Sequence, residues 1–226
     1  MQLLTVNLGT PRYSAHSSAP DGLTGIDKRP AAGPVRVTDP GPKGTGGSGL
    51  AGDAVCDLRH HGGSDQAVYA YAREELDAWE EKLGKPLPNG IFGENLTTRG
   101  VVVSEALVGE RWRIGPDLVL EVTDGRIPCR TFAGHLTEEH WVKRFSEEAA
   151  TGAYLRVVTP GSVRAGDPVE IVHRPDHTVT AALAFRAFTD RSLLPSLLPA
   201  GEALHAEALA AAREYVAEQE LRGAVG

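Results

Sequence analysis

From Leu3 to Leu8 apolar and polar positions alternate, Leu4, Val6 and Leu8 against Leu3, Thr5 and Asn7, the period of a half-buried strand. Val35-Arg-Val37 reads as a short strand. So do Ala54 to Leu58, Val101 to Val103, Glu110 to Ile114, Leu118 to Val122, Tyr154 to Val158 and Val169 to His173, parted by Gly and Pro turns. The period changes between Gln66 and Leu83. There Ala67, Ala70, Tyr71, Leu76, Trp79 and Leu83 fall near one helical face, Asp65 suits the N-cap, and Gly84 with Pro86 ends the run. Thr137 caps a second helix through Ala149, with Glu138 and Glu139 early and Lys143 and Arg144 later, as the helix dipole favours.

Beyond Arg174-Pro175 the pattern turns helical throughout. Thr178 caps an Ala/Phe-rich helix to Phe188, Asp190 starts a short one interrupted by Pro195, and 202–222 read as one long helix striped by Leu204, Ala208, Ala211 and Tyr215. The expected fold is therefore mostly β with helices: a β-rich body over 1–174, then a small three-helix region over 178–226. Residues 9–34 form a long irregular stretch, and 39–49 a glycine-dense loop. That loop lacks the Gly-Lys-Ser/Thr ending of a phosphate-binding P-loop.

Composition removes several classes. The formal net charge of −7 opposes a general nucleic-acid binder, whose phosphate contacts need a basic surface. No apolar run reaches bilayer length, and Met1-Gln-Leu-Leu-Thr-Val lacks a basic segment leading into an apolar one, so neither a membrane span nor a signal peptide is expected. Two cysteines do not make a disulfide framework, which points to a reducing cytoplasm.

Chemistry concentrates in Asp124-Gly-Arg-Ile-Pro-Cys-Arg130. Arg126 and Arg130 flank the Cys129 thiol, and Pro128 stiffens its approach; positive neighbours favour the thiolate, which attacks electrophiles and binds soft metals. The competing reading of Cys129 is a small buried hydrophobe, and that of the arginines is surface solvation. The arginines could otherwise hold an anion such as phosphate. His60 and His61 are adjacent and point apart in an extended chain, so with Asp57, His135 and His140 they make a poor zinc set. Glu94 and Asn95 are either a structured turn or a polar pocket wall.

Taken in order, these residues resemble the MOSC family, and within it the stand-alone bacterial YiiM-type members. The resemblance rests on His61-Gly-Gly63 with Asp65 and Ala67, on Tyr69, Tyr71 and Trp79, on Phe92-Gly-Glu-Asn-Leu96, on Gly109 to Trp112, and on Ile127-Pro-Cys129. It runs from the first strand to Val172, and the tail from Thr178 resembles the three-helix region that follows in such proteins. Ser64 departs from the proline often found there.

The resemblance implies a MOSC-type β-barrel and a pocket for the molybdenum cofactor, a molybdopterin, with Cys129 as the molybdenum ligand and catalytic residue. It also implies that His61, Gly62, Gly63 and Asn95 line that pocket. Charge alone adds Lys28, Arg126 and Arg130 as candidates to bind the cofactor. The function expected is then an oxidoreductase acting on N-hydroxylated compounds such as hydroxylaminopurines. Its electrons would come from a separate flavin or iron–sulfur protein, since two cysteines cannot hold a four-cysteine cluster. The alternatives are a sulfur carrier using a Cys129 persulfide and a non-catalytic protein that binds or delivers the cofactor. The apolar tail would suit a homodimer.

Overall fold

The computed structural model describes residues 1–225. The early strands are β1 (Gln2–Gly9), β2 (Arg12–Tyr13), β3 (Leu23–Thr24), β4 (Lys28–Pro30), β5 (Val35–Val37), β6 (Val68–Ala72) and β7 (Leu96–Arg99). The later strands are β8 (Arg111–Ile114), β9 (Leu118–Asp124), β10 (Ala153–Thr159), β11 (Gly161–Val163) and β12 (Val169–His173). The α-helices are α1 (Arg73–Leu83), α2 (Arg130–Leu136), α3 (Trp141–Glu148), α4 (Ala181–Thr189) and α5 (Ala206–Val225), with 3-10 stretches at Ser64–Gln66 and Arg191–Ala203.

Eight strands form one sheet in the order β12-β8-β9-β10-β6-β7-β1-β4, antiparallel except where β6 meets β7. The expected barrel is met only as this large sheet, in a mixed sheet-and-helix protein; among the described residues no continuous ladder closes it. What joins the start of β1 to the approach to β12 is a short seam, Leu3 N to Asp167 O (2.9 Å), Gly166 N to Leu3 O (2.8 Å) and Val169 N to Met1 O (3.1 Å). In β1 the strict alternation also fails. The register shifts between Leu3 and Thr5, which lets Leu3 and Val6 both reach the core despite their odd spacing.

The largest departure from the sequence pattern is β6. Val68 to Ala72 is a strand, not the first turns of a helix, and all five residues are buried. It is an interior strand, paired with β7 on one edge and β10 on the other, and since all five residues are buried both its faces are covered and it shows no alternation; its Ala and Tyr residues mimic helical spacing. The helix starts only at Arg73 and ends as expected at Gly84, which takes φ 65°. Ala54–Leu58 and Val101–Val103 are apolar but lie outside the named strands. Thr137 does not begin a helix: it closes α2 at φ 57°, and α3 starts four residues later. The cap of α4 is Thr180, whose hydroxyl accepts from Leu183 N at 3.1 Å, and Asp190 caps the next stretch through Ser192 N.

Three apolar clusters result. One fills the sheet. A second, aromatic one has Phe92 at its centre, with ring centroids 5.0 Å from Tyr71, 5.2 Å from Phe132 and 5.4 Å from Trp141. The third lies among the C-terminal helices. Those helices are bonded into the body at several points. Ala181 N donates to Ala106 O (3.0 Å), Ala182 N to Ser104 O (2.9 Å) and His205 N to Thr123 O (3.0 Å). Asp65 spans the junction, one oxygen 2.9 Å from Arg156 and the other accepting from Ala206 N at 3.0 Å.

Candidate functional site

A cleft of about 750 Å³, counting its open mouth, lies over the aromatic cluster and gathers residues from both halves of the sheet. Cys129, His61, Gly62, Lys28, Asn95 and Arg126 all line it. Arg130 and Gly63 are not among the lining residues: Arg130 is exposed and donates to Ala15 O at 3.1 Å. Gly63 serves packing. At φ 82° it presses on the glycine-rich loop, and an added Cβ would lie 2.6 Å from Lys43 N. Gly62 does the same against Gly46 and Gly47, so the 39–49 loop braces the turn that carries His61.

Cys129 precedes α2 with extended backbone (φ −112°). Burial alone would raise its thiol pKa. Hydrogen bonding with His61, the charge of Arg126 and the Phe132 amide outweigh that and bring it down to about 6. The thiol is thus mostly ionised at neutral pH. Replacing His61 by Ala is expected to move the midpoint of Cys129 alkylation against pH upward from about 6. The check is iodoacetamide labelling read on the Cys129 peptide; an unchanged midpoint would remove His61 from the account.

Arg126 is 6% exposed, lies 4.9 Å from the Tyr69 ring centre and 4.4 Å from that of Phe132, and donates to Phe92 O. Its Nε and the Oε1 of Gln66, which belong to two residues of the cleft wall, are buried with no partner. Each such group costs about 1–3 kcal/mol, which a polar ligand would recover.

Lys28 and Asn95 are more committed than charge and type suggest. The Lys28 ammonium pairs with Asp53, and burial lowers its pKa despite that partner. Asn95 accepts from Tyr69 N (3.2 Å) and donates to Asp53 (2.8 Å) and Asn7 O (3.3 Å). Its amide therefore fastens the cleft floor. Glu94 faces inward: fully buried, it accepts from Gly90 N, Phe92 N (3.1 Å) and the Thr97 hydroxyl (2.8 Å).

Sequence reasoning missed Asp53, Gln66, Tyr154 and Cys56, all on the cleft wall. Tyr69 both lines the cleft and packs in the aromatic cluster, 3% exposed, with its hydroxyl donating to Thr151 O at 2.8 Å. Among the described residues no group of three His, Cys, Asp or Glu side chains is set to hold a metal ion. A lone thiolate instead suits a metal whose remaining donors arrive with it. With the unpaired Arg126 and Gln66 atoms, the residues present fit a polar cofactor that carries its own metal. No helix is long and apolar enough to cross a membrane among the described residues.

The model of the MOSC domain matches residues 57–170. The protein YflK of Bacillus subtilis (strain 168) is 33% identical over 187 residues, 81% of this chain and 79% of that protein. Protein YiiM of Escherichia coli (strain K12) is 32% identical over 140 residues, 60% of this chain and 62% of that protein. The crystal structure of YiiM from Geobacillus stearothermophilus superposes with a TM-score of 0.73 at 25% identity, over 94% of this chain and 97% of that one.

Proposed function

Since the chain belongs to the MOSC domain family, we propose that it is an oxidoreductase that binds the molybdenum cofactor through Cys129 and reduces N-hydroxylated compounds such as hydroxylaminopurines. The observation that carries this reading is the ionised Cys129 thiol facing a cleft with unpaired buried polar atoms. Bound there, the cofactor would supply the redox-active metal that takes electrons in and passes them to the N–O bond.

The chain's own part is binding and proton handling. Cys129 gives one thiolate donor. Arg126, held between two rings, offers its free Nε and fixed charge to an anionic group such as the cofactor phosphate. Lys28 adds less, because Asp53 offsets its charge. Reduction of R–NHOH to R–NH2 and water takes up two electrons and two protons. His61 and Tyr154 line the cleft, and in this reading they would deliver those protons. The electrons come from a separate flavin or iron–sulfur protein in this reading.

The test is molybdenum and pterin content after purification from cells able to make the cofactor. Near-stoichiometric molybdenum in the native chain and none in Cys129→Ala is the expected result; equal content in both would refute the ligand assignment. The same ionised thiol also suits a sulfur carrier. If a sulfane adduct of about 32 Da on the Cys129 peptide replaces bound molybdenum, that reading takes over.

A further inference from the structure

β2 and β3 form a small hairpin whose tip, Ser14–Ala19, reaches the cleft with half-buried Ser17 and exposed Ser18 on its lining, which puts the tip at the rim. The tip is held to the opposite side through its carbonyls. Arg130 donates to Ala15 O (3.1 Å), the Thr131 hydroxyl to His16 O (3.1 Å), and Arg59 to Ser18 O (2.7 Å). Two of these three donors directly follow Cys129 in sequence. The His16 ring also rests on Gly134, where an added Cβ would come within 2.1 Å of it. The helix that follows Cys129 is therefore fastened to the hairpin tip.

We propose that the Ser14–Ala19 tip is a specificity-determining lip: it limits the size of molecules that reach Cys129, and Arg59, Arg130 and Thr131 tether it above the close contact at Gly134. Small flat molecules pass beneath it, and bulky ones require it to lift. All three tethers are partly or fully solvent-exposed hydrogen bonds, so each is weak alone and they act as a set. The proposal is independent of what the thiolate binds.

The test uses the full chain made without cofactor, and compares two reagents with one warhead: iodoacetamide, and an iodoacetamide bearing a large dye. Modification is read on the Cys129 peptide, because Cys56 lines the same cleft. In Arg130→Ala/Thr131→Val the dye reagent is expected to react about tenfold faster, the consequence of losing two such bonds, with iodoacetamide unchanged within about twofold. Gly134→Ala, which displaces His16 without touching either donor, should raise the same ratio. Circular dichroism establishes that each variant is folded, and a folded variant is sufficient to decide. An unchanged ratio, or an equal rise with both reagents, would overturn the proposal, since the first shows no steric limit and the second a change in the thiol itself.

Discussion

On the proposed function, Cys129→Ser is expected to lower turnover of N-hydroxylated substrates roughly a thousandfold or more, with the fold intact. Serine is nearly the same size, but its hydroxyl stays protonated at any pH the protein survives, so the thiolate donor is lost while the packing is kept. Turnover with an artificial low-potential electron donor and the thermal midpoint together check this; undiminished turnover would sink the catalytic assignment. A pH signature accompanies it. The folded thiol ionises near 6, below the ordinary thiol value, so thiolate stabilisation is present at alkaline pH and is lost as pH falls through about 6. The stability gap between native chain and variant should therefore narrow from pH 9 toward pH 6.

The largest effect on stability belongs to Glu94. Its carboxylate lies fully buried and gathers two backbone amides and one hydroxyl, from Gly90, Phe92 and Thr97. Burial raises its pKa, opposed first by the Gly90 amide. Glu94→Ala would leave those donors unsatisfied beside the central aromatic ring. A loss of about 3 kcal/mol or more is expected, read from urea unfolding. A loss below about 1 kcal/mol would mean that water or a shifted backbone replaces the carboxylate. Glu94→Gln should cost less, since one oxygen remains to accept.

The FGEN run shows where reading the chain alone stops. Its polarity is legible, but the direction of each side chain is not. Glu94 turns into the core, Asn95 ties the floor, and the aromatic Phe92 carries the packing. The strands near 111 and 169 are legible because polar and apolar, exposed and buried positions alternate there. β6 is not, because a strand covered on both faces carries no period. For the site, Cys129 and His61 stand out in sequence since each breaks its local pattern. Asp53 does not: it looks like any turn aspartate until Asn95, 42 residues on, and Lys28 meet it. Arg130 misleads for the opposite reason, since adjacency to Cys129 says nothing about which side of the helix its long chain takes.

Asp65 has a further consequence. One carboxylate oxygen holds strand β10 through Arg156 and the other terminates the first amide of α5, while the same residue sits four positions after His61. The C-terminal helices are thus tied to the body through a residue close in sequence to His61. Grafting them onto another sheet would require the acceptor for Ala206 N to come from the recipient, and exchanging them would disturb the turn that presents the imidazole. Variation in the tail and variation around the cleft are mechanically one problem, and changes in either will need compensation in the other.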